Sequence, residues 1–164
     1  MPPENLQKLS EKYPKIFALK TPRGSGPQMP FTLFSFECGD GWYNIIDLLC
    51  ANIQWHIDET NKTRQLLLES NSYNLPIPDE VQQVVASQVK EKFGGLRFYY
   101  NGGDRVVDAL VGFADTMSYR TCETCGSPGK RRGGGWIYTA CDAHTKQEDL
   151  EEEQEDADMD NNAD

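Results

Sequence analysis

No apolar stretch in the chain approaches the ~18–20 residues that a membrane-spanning helix needs, so no membrane partner is expected. The first seventeen residues, MPPENLQKLSEKYPKIF, lack the apolar core of a signal peptide. The expectation is a soluble protein that stays in the cytoplasm where it is made. Histidine is scarce, with only His56 and His144 in 164 residues. No Ser-His-Asp arrangement, carboxylate pair, P-loop or dinucleotide fingerprint accompanies them, so no enzymatic activity is expected. Cysteine is limited to Cys38, Cys50, Cys122, Cys125 and Cys141. An odd count, no secretion signal and a C-x2-C pair argue against a disulfide framework and for a reducing interior.

The formal charge of −10 is unevenly spread. Residues 145–164 hold ten acidic groups and one lysine, and the other 144 residues hold 15 basic and 16 acidic groups. The body is therefore close to neutral. Residues 146–164 read as a disordered acidic tail, because a segment so charged and so poor in apolar residues cannot bury a core.

Hydrophobic periodicity predicts an α+β fold: a small antiparallel sheet packed with two to four helices, a C-terminal zinc knuckle or ribbon, and the disordered tail. Residues 1–118 would form the body and residues 119–145 a zinc-knuckle module packed on it. Leu6, Leu9, Tyr13, Ile16 and Phe17 suit a short amphipathic helix that Pro14 interrupts. Residues 19–30, rich in proline and glycine, read as a loop, and residues 31–36 as a strand. Ile45, Ile46, Leu49, Cys50, Ile53 and Ile57 repeat with a helical period, which predicts a helix over 42–57 with Asp40 at its cap. Residues 58–79 are polar and read as an excursion or loop. Residues 87–100 read as a hairpin turning at Gly94-Gly95, with a short helix before it as an alternative. Val106, Val107, Leu110, Val111, Ala114 and Met117 predict a helix over 104–118.

That helix runs into CETCGSPGKRRGGGWIYTACDAH, residues 122–144. Cys122 and Cys125 form one tight pair, and Cys141 and His144 a second, fifteen residues later. Tetrahedral Zn2+ takes thiolate sulfur at ~2.3 Å and imidazole nitrogen at ~2.0–2.1 Å, and two such knuckles supply all four ligands. Gly126 suits the positive φ that a knuckle turn needs, and GWIYTA between the pairs reads as a strand returning to the ion. A redox pair would want a βαβ setting that does not surround it. Four protein ligands leave no open position, so the metal is read as structural Zn2+.

Three further features compete for function. Lys130, Arg131 and Arg132 beside Trp136, with Lys90, Lys92 and Arg97, form a candidate contact for nucleic acid or another partner. From Gln88 to Arg132 there are eight cations and five anions, only a mild excess. Gly39, Asp40, Gly41 and Trp42 form a turn ahead of a helix, where free N–H groups could hold an anion or a small nucleotide, though a plain strand-turn-helix joint competes with that reading. Cys38 and Cys50 read as core thiols and His56 as a satisfied helix histidine. The acidic tail reads as a solubilising end, a mimic of nucleic-acid charge, or a competitor folding back on Lys130–Arg132.

The motifs LSEKYPKIF, FECGDGWYNIIDLLCANIQ, VKEKFGGLRFYYNGG and MSYRTCETCGSPGKRRGGGWIYTACDAH, spread over residues 9–144, resemble a family of uncharacterised bacteriophage and prophage accessory proteins with a C-terminal zinc knuckle. The resemblance implies a host-cell cytoplasm and supports the three cysteines and His144 as one unit. It carries no catalytic role. Such proteins often act by binding, so the expected function is a zinc-stabilised accessory protein that binds a host factor, inhibiting a defence or nucleic-acid-processing protein. Nucleic-acid binding through the 130–136 loop and sequestration of a small nucleotide signal are the alternatives.

Overall fold

The computed structural model describes residues 1–18, 36–70 and 75–151. The loop expected over 19–30 and nearly all of the strand expected over 31–36 lie outside them. The chain opens with helix α1, Pro3–Lys12, which starts on a proline and stops at Tyr13, ahead of Pro14. Strand β1, Phe36–Glu37, follows, then a 3-10 turn over Asp40–Trp42 and helix α2, Tyr43–Glu69. Strands β2, Val85–Lys92, and β3, Gly95–Asn101, form a hairpin, and helix α3 spans Arg105–Ser118. Strands β4, Lys130–Arg132, and β5, Tyr138–Ala140, make a separate two-stranded sheet.

The architecture is α+β. The larger sheet has the order β1-β2-β3, with β2 and β3 antiparallel. It is mixed rather than wholly antiparallel, because β1 runs parallel to β2. The reason is α2: a helix of 27 residues carries the chain back along the sheet before β2 begins, which is the crossover that parallel neighbours require.

The helical period from Ile45 to Ile57 is realised as a buried face of Ile46, Leu49, Cys50, Ile53 and Ile57. The helix does not end there: 58–69, expected as a loop, continue it. This stretch contains no glycine or proline and is rich in straight-chain helix formers. Its polar residues are used: the Asn61 amide exchanges two hydrogen bonds with the Val81 backbone, at 2.8 and 2.9 Å, and Arg64 donates to the Pro78 carbonyl at 2.8 Å. An apolar period misses such a helix end because hydrogen bonds, not burial, hold it to the 75–84 strap.

The β2–β3 turn is made by Phe93 and Gly94, both at positive φ (56° and 78°), the two-residue geometry that matches strand twist. The predicted turn is thus one residue earlier. Gly95 opens β3 and leaves room for the Tyr119 ring, which a Cβ there would meet at 2.5 Å. Asp104 caps α3, accepting from Val106 and Val107 N–H at 3.0 and 3.1 Å. Asp40 does not cap α2; it accepts instead from Asn5 at 2.7 Å.

One core joins these parts. Leu9 and Ile16 near the N-terminus, Trp42, Ile46 and Ile53, Val84, Val89 and Leu96, and Val107 of α3 are buried together. Cys38 and Cys50 belong to it, and burial pushes the Cys38 thiol up to about 12 and raises Cys50 likewise. No helix among the described residues is long and apolar enough to cross a membrane.

Candidate metal centre

After α3 the chain passes Tyr119 and Arg120 and forms the first knuckle. Gly126, at φ 78°, donates its N–H to the Cys122 carbonyl at 2.9 Å, curling Cys125 back toward Cys122. The β4–β5 hairpin then returns the chain to a 3-10 turn over Asp142–His144. There the His144 N–H donates to the Cys141 carbonyl at 3.0 Å, so the second pair closes on one turn.

The result gathers Cys122, Cys125, Cys141 and His144, with all four donor atoms within 4.8 Å of one another. The Cys125 and Cys141 sulfurs are 3.7 Å apart, and the His144 Nδ1 lies 3.7 Å from Cys122 Sγ and 3.2 Å from Cys141 Sγ. A disulfide would need ~2.0 Å between sulfurs. Four thiolate or imidazole donors at ~2.0–2.3 Å from a common tetrahedral ion would sit ~3.5–3.8 Å from each other. The donor set and its spacing therefore fit one tetrahedral ion, and all five cysteines are free of disulfides. The side chain and N–H of Ser127, hydrogen-bonded to Cys125, draw its thiol down to about 6, toward the thiolate that a metal takes.

The knuckle is bound into the body by the turn at 39–42. Gly39 N–H donates to the Glu123 carboxylate and Gly41 N–H to the Glu123 carbonyl, each at 2.8 Å. Trp42, fully buried, donates its indole N–H to the Thr121 carbonyl at 2.8 Å. The approach is close: a Cβ on Gly41 would lie 2.1 Å from the Cys122 carbonyl oxygen. The N–H groups predicted to hold an outside anion are thus spent on the chain's own Glu123. Sequence spacing gave no warning, since the partners are some eighty residues apart. From the other side, Glu123 N–H donates to the Thr139 carbonyl at 3.0 Å, and Thr139 Oγ1 donates to the Gly94 carbonyl at 2.6 Å.

The predicted cations divide. Arg132 is turned inward: its side chain is 1% exposed, and it donates to the Ala140 carbonyl at 3.3 Å and to the Asp142 carboxylate. It buttresses the second ligand turn and is not a surface contact. Arg131 and Arg97 both lie over the Tyr119 ring, at 5.1 and 6.0 Å, and Arg97 also pairs with Asp115. Lys90 sits over Tyr99 and Lys92 over Phe93. Lys130 is exposed on β4. Trp136 is 72% exposed and Phe93 61%, and the two border one recess of about 450 Å³ together with Glu91, Lys92 and Ile137. Phe93 was not among the residues predicted to matter; its signal was an aromatic placed directly at a hairpin turn.

Of the tail expected to be disordered, residues 152–164 lie outside the described residues, and its start is ordered. Residues 147–151 are helical, and Asp149 is buried against the ribbon, accepting from the Tyr138 hydroxyl. That hydroxyl in turn accepts from the Lys146 N–H at 3.0 Å. The polar contacts to one tyrosine hold a segment that composition alone leaves loose. His56 Nε2 lies 2.9 Å from the Asp104 carboxylate, and His56 is thus a satisfied histidine joining α2 to the cap of α3.

Comparison with known proteins returns no match to a family model, a curated protein or a solved structure.

Proposed function

We propose that the protein is a non-enzymatic, zinc-stabilised binding protein whose metal centre is structural and whose work is contact with a host protein. The carrying observation is the closure of the site. Three sulfurs and one imidazole nitrogen gather within 4.8 Å of one another, enough donors to complete a tetrahedron, and the first knuckle is clamped to the body through Gly39, Gly41 and Trp42. A catalytic zinc would keep a position for water or substrate; four side chains converging on one ion leave none. When bound, the ion supplies folding energy and holds β4 and β5 in place. Its ribbon presents Trp136 beside Phe93, an exposed aromatic pair of the kind that anchors protein interfaces.

The resemblance to phage accessory proteins supplies the setting, a host cytoplasm in which a small binding protein inhibits a defence or nucleic-acid-processing factor. The acidic residues after Lys146 would then compete with nucleic acid for the same partner. The test is capture from host lysate by the tagged full chain, compared with Trp136→Ala and Phe93→Ala. A stoichiometric partner retained by the wild type and lost by both variants supports the reading. Equal capture by all three, or none by the wild type, overturns it.

A second reading rests on the same recess. Lys92 lies over the ring of Phe93, and both line that recess with Trp136, so a cation and two exposed rings meet there, as in sites that stack unpaired bases. Single-stranded DNA or RNA should then bind the full chain at low salt and release steeply as salt rises. Absence of binding at low salt removes this reading.

A further inference from the structure

The outer face of α2 and α3 belongs to neither the core nor the metal centre. The two helices run antiparallel: His56 of α2 reaches Asp104 at the start of α3, while Ile45 and Leu48, a turn or so into α2, border the same groove as Met117 near the end of α3. On the side away from the core, Leu48 and Trp55 of α2 are 62% and 67% exposed. Val106, Phe113 and Met117 of α3 are 47%, 66% and 39% exposed. Their spacings, seven residues on α2 and seven and four on α3, place each set on one helical stripe. Between the stripes runs a groove of about 210 Å³, with no charged residue in its lining. Water gains nothing from such a face, and a solvent-side stripe of this kind marks an interaction site.

We propose that this face is a two-fold interface between two copies of the chain, closing α2 and α3 of each into a four-helix layer. Two observations select a second copy. A two-fold axis sets each residue near its own symmetry mate, so a charge close to the axis would meet its like; this groove has none, although the chain as a whole carries −10. The area also suffices: five side chains at these exposures offer on the order of 600 Å² of apolar surface per copy, near the ~800 Å² per partner of a standard interface once rim atoms are added. Antiparallel helix pairs meeting through apolar stripes pack as bundles.

Light scattering and sedimentation of the zinc-loaded full chain across a dilution series test the proposal. The wild type should have twice the 18.5 kDa mass of one chain, and Phe113→Glu and Leu48→Glu should each have the single-chain mass. Because both side chains are exposed, their far-UV spectra and zinc content should match the wild type. A wild type that is monomeric at every concentration overturns the proposal. In that case, loss of thermal stability in the two variants would assign the face to a segment of the same chain, and unchanged stability would leave it to a different protein. A dimer that persists in both variants places the interface elsewhere and also overturns it.

Discussion

The body and the metal module are held together by different means. The body draws its core from α1, α2, α3 and the three-stranded sheet, and every residue of its buried apolar cluster lies before residue 119. Within 119–145 the buried apolar residues are only Cys122 and Ala140, and the other buried side chains are Arg132 and Thr139. A segment with so little apolar burial cannot offset the entropy of ordering its backbone, ~1–2 kcal/mol per residue. What holds it is the four-donor centre and the hydrogen bonds to Gly39, Gly41, Trp42 and Gly94. The body should therefore survive insults that abolish the module, and insults to the seam between them should reach both.

Removal of the proposed metal should separate the two most. Structural zinc contributes an apparent ~10–16 kcal/mol to the folding of small modules, comparable to the whole stability of a domain. A strong chelator, or Cys122→Ser, should unfold 119–145 while most helical far-UV signal remains, since α1, α2 and α3 lie in the body. Proteolysis after chelation should cut first between β4 and β5. Cobalt substitution should give the absorption of a tetrahedral three-sulfur, one-nitrogen site, and Cys122→Ser should abolish it. Complete loss of helical signal on chelation would erase the distinction between the two regions.

Next in size is the seam. Gly41→Val puts side-chain atoms where the Cys122 carbonyl lies 2.1 Å from a Cβ, and backbone on both sides prevents relief. The expected cost is about 4 kcal/mol or more, at the upper end of single substitutions, with zinc affinity reduced as well. A core truncation far from the seam, Ile53→Ala, should cost about 2–5 kcal/mol from its cavity alone and leave zinc affinity unchanged. Denaturant unfolding paired with competition for zinc by a chromophoric chelator distinguishes them. Equal zinc affinities for the two variants would show that the 39–42 turn does not support the metal centre.

The same division governs what could be read from the sequence. The helical faces from Ile45 to Ile57 and from Val107 to Ala114 announce themselves by period, because burial on one face of a helix is a local pattern. The cysteine pairs announce themselves by spacing, because knuckle geometry is also local. What escaped reading depends on distant partners. The CGDGW turn resembles an anion cradle until Glu123 is seen to occupy its N–H groups. Arg132 looks like its neighbours Lys130 and Arg131 until its contacts with the Ala140 carbonyl and the Asp142 carboxylate show that it turns inward. The polar half of α2 looks like a loop because Asn61 and Arg64 bind a strap that no period reveals. The parallel placement of β1 follows from the length of α2, and reading that helix short hid it.

The smallest expected effect lies wholly within the body, at the joint between its two long helices. Partial burial would push the Asp104 carboxyl up, but the hydrogen bonds from His56 and from the Val107 and Val106 N–H groups outweigh it and hold it below the ordinary aspartate value. A carboxylate whose folded pKa is lowered adds stability that is present above its unfolded value, ~3.9, and lost as pH falls through the folded value. Asp104→Ala removes both the cap and the partner of His56 and should cost about 1–2 kcal/mol near neutral pH. Asp104→Asn keeps an acceptor for the helix N–H groups and should cost about 1 kcal/mol or less, since amide caps serve nearly as well. Its stability deficit relative to wild type should shrink as pH falls from about 5 toward 2, where the wild-type carboxylate is protonated and loses its advantage. Release of the proposed metal in acid would be common to both proteins and would cancel in that difference. Urea unfolding of the pair across this range measures it, and a deficit that stays constant with pH would show that the Asp104 charge, unlike its capping oxygen, does nothing to hold α2 and α3 together.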